Sequence, residues 1–265
     1  MKLLIIGCGS IGTVIARAAD GMDEVQKISL FDVDREKASQ LASATSKAES
    51  ISEIDFDADL VIEAAGQQAA KQFIPLALEA GKDSMIMSVG AFVDREFQTR
   101  CFNAVVRHNA SVIIPSGAVA GVDALRSASK GRLDEVRLTT SKPPKGLSGV
   151  RYLIERGIDV DGLRERTTLY SGPASQAVRY FPANVNVAAT VSLAGIGFER
   201  TQVEIVCDPK STVNSHRLFA RGAFGEFEAV TRNLPSPDNP RTSYLASLSA
   251  VSALRSYITR VWVGV

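Results

Sequence analysis

Gly7-Cys8-Gly9-Ser10-Ile11-Gly12 carries the spacing G-x-G-x-x-G. Each glycine answers a different steric demand at a phosphate-binding turn. Gly7 permits the tight turn, Gly9 lets a pyrophosphate approach the backbone, and Gly12 lets the following helix pack on the preceding strand. The helix start, with Ser10 and Ile11 in its first turn, offers N–H groups and a positive dipole end to phosphate oxygens. The surroundings give the pattern its meaning. The apolar run Leu3–Ile6 precedes it, helical spacing follows it, and Asp32 closes the next apolar run. Asp32 is therefore the expected acceptor for adenosine-ribose hydroxyls, which favours NAD. Arg35 offers a contact for a 2′-phosphate, so use of NADP stays open. The rival role for Asp32, capping the next helix, could be filled equally by Asp34.

Further along, two short segments carry small residues: Glu63-Ala64-Ala65-Gly66 and Ser88-Val89-Gly90-Ala91. Ligands of open α/β sheets bind at the carboxyl ends of strands. Ala65 and Gly66 are thus candidate cofactor contacts, although tight turns demand small residues equally. Two histidines could transfer protons near neutral pH. His108 falls at the end of a helical stretch, where a cation suits the dipole, and reads as structural. His216 falls in the polar segment Ser211–Leu218 after Asp208-Pro209. A functional loop residue and a solvated loop residue are the alternatives there. Pro182–Thr190 supplies amides, including Asn186, at a helix start, where Asn also serves as a cap. Pro115–Gly121 lies where the pattern of the chain changes, and clefts form at such junctions. Asp238–Ser243 precedes a helix whose start, with Arg241, Thr242 and Ser243, suits a substrate carboxylate. Neither metal-ligand spacing nor a GxSxG nucleophile occurs, so no metal is expected.

The elements that must position these groups follow from periodicity. Over residues 1–115 short apolar runs alternate with helical spacing. Strands are predicted at Leu3–Ile6, Ile28–Phe31, Leu60–Glu63, Ser84–Ser88 and Ser111–Ile114. Helices are predicted at Ile11–Ala19, Arg35–Ala44, Gln68–Ala80 and Arg95–Asn109. Strand and helix in strict turn predict an α/β fold, a Rossmann doubly wound parallel sheet. Residues 116–237 read as a second, α+β domain with a mostly antiparallel sheet. Its predicted strands are Val136–Ser141, Gln202–Asp208 and Gly222–Ala229, and Val150–Arg156 is helical. Residues 238–265 open on the turn Asp238-Asn239-Pro240. They continue as a helix over Thr242–Ile258 that is expected to return to the first domain.

Composition narrows the classes. The 265 residues are 45% hydrophobic and 22% charged, which is ordinary for a globular chain. Thirty basic against 29 acidic residues leave no concentrated basic field, which argues against nucleic acid or an anionic membrane surface as partner. The cysteines Cys8, Cys101 and Cys207 are odd in number and widely spaced, as expected of free thiols in a reducing compartment. No apolar run reaches the length of a membrane span, and glycines break the N-terminal run too early for a signal segment. A cytoplasmic location and a small-molecule partner are expected.

Longer blocks carry a more specific signal. They are GCGSIG at 7–12, EAAG at 63–66, SVGA at 88–91, PSGAVAG at 115–121 and FPANVNVAATVSLAG at 181–195. DP at 208–209 with His216 beyond, GAFGEFE at 222–228 and NPRTS at 239–243 complete the set. Together they resemble the L-aspartate dehydrogenase family over nearly the whole chain. The resemblance implies a Rossmann domain plus an α+β domain in a homodimer. It implies NAD(P)-dependent conversion of L-aspartate to iminoaspartate, which hydrolyses to oxaloacetate and ammonia and can feed NAD biosynthesis. It makes His216 the catalytic residue and places Ala120 and Asn186 at the nicotinamide cofactor. One departure is Arg241, where lysine is expected, and the two are not interchangeable at a bidentate site. Two other readings remain. One is a two-domain Rossmann oxidoreductase for a different amino or semialdehyde acid, and the other is a dinucleotide-binding sensor without turnover.

Overall fold

Six short strands open the chain in space: β1 (Lys2–Ile6), β2 (Lys27–Phe31), β3 (Ala48–Ser50), β4 (Leu60–Glu63), β5 (Asp83–Ile86) and β6 (Val112–Ile113). The computed structural model that shows them describes residues 1–182, 186–236 and 239–264, with side chains left aside at 239–241. All neighbouring pairs run parallel, in the order β3-β2-β1-β4-β5-β6. This is the doubly wound order of a dinucleotide-binding sheet. The helices α1 (Ser10–Asp20), α2 (Arg35–Ser43), α3 (Gln67–Glu79) and α4 (Arg95–His108) alternate with the strands. All four residues of β4 are buried, as befits a strand covered on both faces. The edge strand β3 is Ala-Glu-Ser and has no apolar pattern that could announce it. Its backbone pairing to β2 alone defines it.

The remaining elements are α5 (Val122–Ala128), β7 (Leu133–Lys142), α6 (Arg151–Glu155), β8 (Thr167–Pro173), α7 (Ala174–Tyr180) and α8 (Asn186–Ala194). They continue with β9 (Gln202–Cys207), β10 (Asn214–Gly222), β11 (Gly225–Asn233), β12 (Pro235–Ser236), β13 (Asn239–Ser243) and α9 (Tyr244–Thr259). A five-stranded sheet runs β11-β10-β7-β9-β8. Only its β7–β9 pair is parallel. A short antiparallel ribbon joins β12 and β13.

Three expectations need correcting here. Gly222–Ala229 is not one strand. The chain reverses between Gly222 and Gly225, which pair across the tip of the β10–β11 hairpin. His216 is not on a loop but on β10. Thr242 and Ser243 end a strand, and the helix starts only at Tyr244. Ala183, Asn184 and Val185 of the predicted amide-rich helix start lie outside the described residues. So do Asp238 of the predicted cap, the expected boundary between 237 and 238, and the side chain of Arg241.

The chain divides into two units. Met1–Pro115 with Ser247–Val261 form one, and Ser116–Ala246 with the residues from Trp262 form the other. The core of the first combines Leu3, Ile5, Ile28, Leu30, Leu60 and Ile62 of the parallel sheet with Ala250 and Leu254 of α9. Each fully buried Leu or Ile there contributes about 1.5–3 kcal/mol. No described helix is long and apolar enough to cross a membrane.

Candidate active site

In the first unit the candidate residues gather where β1, β2, β4 and β5 end. Gly7 follows β1 with φ +101°, and a Cβ there would lie 2.6 Å from the Ala65 backbone. A Cβ on Gly12 would lie 1.9 Å from the Gly7 carbonyl oxygen. Gly9 is different: a Cβ there would meet nothing within 4 Å. Two glycines thus permit contact inside the fold, while the third leaves the backbone open to a ligand. α1 starts at Ser10 with no acidic residue in its first turn, so no carboxylate of that turn offsets the helix dipole. The loop, the bare Gly9 backbone and this helix start fit a diphosphate.

Asp32 and Asp34 divide their roles. Asp34 caps α2, accepting from the Lys37 N–H at 3.4 Å, and pairs with the Lys37 ammonium at 3.2 Å. Asp32 instead ties the end of β2 to the glycine loop. Its carboxylate accepts from the backbone N–H of Cys8 at 2.7 Å and of Asp34 at 2.9 Å. Arg35 is the first residue of α2 and is exposed.

Sequence reasoning gave Glu63 no part in the site beyond closing a predicted strand and opening a small-residue turn. It is fully buried at the end of β4. Its carboxylate accepts from the N–H of Ala65 (2.9 Å), of Gly66 (2.8 Å) and of Ser88 (3.0 Å), and from the Ser88 hydroxyl (2.8 Å). Burial pushes its pKa up, and these donors pull the other way. Four donors suit the ionised form. The glutamate therefore fixes both turns that hold the candidate small residues. The available signal was an acid closing an otherwise apolar buried strand, because such a group must be hydrogen-bonded. Ala65 is exposed beside it, and Gly66 has φ +154° and open space where a side chain would stand.

In the second unit His216 sits on β10, opposite Thr140 of β7 and Thr231 of β11. It is only 3% exposed, and its Nδ1 lies 3.0 Å from the Thr140 hydroxyl. Burial pushes the imidazole pKa down to about 3, and the nearby Lys142 charge acts in the same direction. The ring is neutral at neutral pH, as a proton acceptor must be. A period of two along Asn214, His216, Leu218 and Ala220, all buried, could have identified the strand. The polar residues at its start masked that alternation. Lys142 shares the burial of His216, and the sequence reading passed it over.

The Pro115–Gly121 loop is pinned to β11, because the Ala118 carbonyl accepts from Thr231 Oγ1 (2.9 Å) and Asn233 Nδ2 (2.8 Å). Ala120 in this loop is exposed. Asn186 is the exposed first residue of α8, and its carbonyl accepts from Thr190 Oγ1 at 3.1 Å. Thr242 is half-buried, and Ser243 Oγ accepts from Asn214 Nδ2 at 3.4 Å, which ties β13 to the strand of His216. Gly7, Gly9, Gly12, Asp32, Ala65 and Gly66 thus belong to one unit, and Ala120, Asn186, His216, Thr242 and Ser243 to the other. His108 ends α4 and is exposed. All three cysteines are buried and free, and burial pushes the thiols of Cys8 and Cys101 up to about 12. Such thiols are poor nucleophiles.

Residues 123–257 match the family model described as aspartate dehydrogenase, C-terminal, and residues 7–115 match the NAD binding domain described for homoserine dehydrogenase. The L-aspartate dehydrogenase of Methanosarcina acetivorans is 47% identical, covering 100% of this chain and 99% of that protein. The L-aspartate dehydrogenase of Nitrosopumilus maritimus is 39% identical over 97% of this chain and 96% of its own length. Among solved structures, the aspartate dehydrogenase of Thermotoga maritima superimposes with a TM-score of 0.78 at 29% identity, covering 99% of both chains. The chain belongs to the aspartate dehydrogenase family.

Proposed function

We propose that this protein oxidises L-aspartate to iminoaspartate with NAD(P), that water then releases oxaloacetate and ammonia, and that the amination runs in reverse. The observation that carries this is a neutral, buried imidazole, His216, in a chain whose full length matches L-aspartate dehydrogenases. Gly7, Gly9, Ser10, Ile11 and Gly12 would hold the dinucleotide diphosphate, and Asp32 its adenosine ribose. Ala65, Gly66, Ala120 and Asn186 would stand at the nicotinamide half. Bound nicotinamide supplies the hydride acceptor. The Asp32 carboxylate favours ribose hydroxyls over a 2′-phosphate, whereas Arg35 would tolerate the phosphate.

His216 takes up a proton, either from the substrate ammonium or from the water that attacks the imine carbon. Thr140 engages Nδ1 and so orients the ring. Ser243, Thr242 and Arg241 would meet a substrate carboxylate, with Asn214 holding Ser243 in place. The reading extends to a homodimer, supported by the family resemblance, and to the cytoplasm, supported by three free thiols. It also makes residues 1–115 the dinucleotide-binding part, 116–237 the substrate and dimerisation part, and 238–265 a returning segment. Release of iminoaspartate would supply NAD biosynthesis.

The test is direct. Purified protein receives L-aspartate with NAD or with NADP, and the absorbance of the reduced nicotinamide is followed, with D-aspartate and L-glutamate as controls. Reduction with L-aspartate alone is expected. A flat trace for L-aspartate with both cofactors sinks the reading.

A further inference from the structure

We infer that the cleft between α6 and the end of α7, in the second unit, is a ligand site for a nucleoside monophosphate. It goes beyond the proposed reaction and shares no residue with the groups assigned to dinucleotide or substrate. The cavity has a volume of about 590 Å³, between the Gly146–Val150 turn, α6 and the end of α7. Cavities of about 300–1,000 Å³ enclose whole small molecules. A water molecule takes about 30 Å³, so a lone small ion would leave most of this space to solvent.

Aromatic rings supply one part of the lining. Tyr152 stacks on Tyr180, with centroids 4.5 Å apart and planes inclined by 28°. The Arg156 guanidinium carbon lies 3.9 Å from the Tyr152 centroid. A face already stacked at 4.5 Å has no room for it, so the guanidinium covers the other face. Tyr152 thus has a neighbour on each side. Tyr170 and Phe181 complete the cluster but are 6% and 0% exposed. Tyr180 is 36% exposed and lines the cavity. It is the ring of this cluster with surface left for a further stack.

Cations supply the other part. Arg151, Arg156 and Arg179 line the cavity together with one acid, Glu155. Glu155 is engaged by Arg151 at 2.6 Å. Among the described residues Arg156 and Arg179 form no ion pair. Three cations and one anion leave the lining at +2. A phosphate monoester carries about −1.5 to −2 near pH 7 and offers three acceptor oxygens, whereas a carboxylate offers one charge and two oxygens. The guanidinium fork matches phosphate geometry. Arg179 precedes Tyr180 directly at the end of α7, so one stretch of backbone holds the cation beside the open ring. Inorganic phosphate would satisfy the cations and leave Tyr180 bare. A nucleoside would do the reverse. A nucleoside monophosphate satisfies both, and stacking tolerates any base because every base has a π-face.

The test is calorimetric titration of uridine 5′-monophosphate into the full-length protein, with uridine and inorganic phosphate titrated separately. The pyrimidine keeps the probe distinct from the adenosine half of the dinucleotide. We expect binding of the monophosphate at one site per chain with Kd below about 1 mM, and each fragment at least about tenfold weaker. Arg179→Gln should weaken the monophosphate by about 10–100-fold, the worth of one charge-assisted hydrogen bond. Arg179 is exposed, so its replacement should leave the melting temperature in place. Tyr180→Leu should weaken binding by about tenfold, and Tyr180→Phe, which keeps the ring, should stay within about twofold of wild type. No heat from the monophosphate with folded wild type overturns the proposal. Affinity unchanged in Arg179→Gln also overturns it, because the ligand then sits elsewhere. Inorganic phosphate binding as tightly as the monophosphate overturns it too, since the rings then take no part. Turnover of L-aspartate is no part of this readout, so a protein inactive toward that substrate still decides the site.

Discussion

An imidazole in the middle of a sheet gives up its hydration, and here that loss keeps it neutral. An unburied histidine takes up a proton at about pH 6.5, whereas burial holds His216 near 3. The linkage has a definite sign. Below pH 6.5 the unfolded chain binds a proton at this residue and the folded chain does not, so stability present above pH 6.5 is lost as the pH falls toward 3. At pH 5 the difference amounts to about 2 kcal/mol. Replacing His216 with Gln keeps a neutral hydrogen-bonding group opposite Thr140 and removes the titration. Urea unfolding at pH 7 and pH 5 should show a smaller drop for His216→Gln than for wild type, by about that amount. The same variant should lose roughly 10²–10⁴ in kcat, the usual worth of general acid–base catalysis, with near-normal NAD affinity. Parallel pH profiles of stability would refute the buried neutral state, and equal turnover would refute the catalytic role.

Between residue and fold stand the strand ends, and there the sequence was readable in part. Gly7 and Gly12 were legible because only glycine meets their steric demand within the fold. Gly7 and Gly12 face backbone closer than any side chain allows, and Gly9 faces nothing. The parallel sheet was legible from strict alternation, except for β3, whose Ala-Glu-Ser has no periodicity to detect. His216 was mistaken for a loop residue because its strand begins with polar side chains, although the face they share is buried. Glu63 and Lys142 were missed for a common reason: the meaning of a charged residue depends on burial, which one-dimensional spacing reveals only indirectly. The role of Glu63 can be tested at the level of the two turns it joins. In Glu63→Gln the amide oxygen can keep the bonds to Ala65, Gly66 and the Ser88 hydroxyl. Its NH2 group then faces the Ser88 N–H, donor against donor. The expected loss is about 1–3 kcal/mol of stability, measured by urea unfolding. A weaker NAD titration should accompany it, because Gly7 rests against the Ala65 backbone. Unchanged values of both would mean that the buried carboxylate does not organise the turns.

At the scale of the whole molecule, the first unit is closed by the last helix. The chain leaves that unit after Pro115 and re-enters it at Ser247. Ala250 and Leu254 of α9 are fully buried in the core beside Leu3, Ile28 and Leu60, and the Tyr257 hydroxyl donates to the Asp83 carboxylate at 2.8 Å. The stability of the glycine loop is therefore linked to residues far along the chain from it. Leu254→Ala should cost about 2–5 kcal/mol, the range for a buried leucine whose cavity cannot fully collapse. A ligand that binds the folded unit stabilises it by about 2.7 kcal/mol at a hundredfold excess over Kd, so saturating NAD should recover a comparable amount. Calorimetric melting of wild type and Leu254→Ala, each with and without NAD, separates two outcomes. If α9 and the glycine loop belong to one cooperative unit, the transition that Leu254→Ala lowers is the one that NAD raises. If the substitution lowers a transition that NAD leaves in place, α9 is a separate element docked on a sheet already stable without it, and its packing has no bearing on cofactor binding.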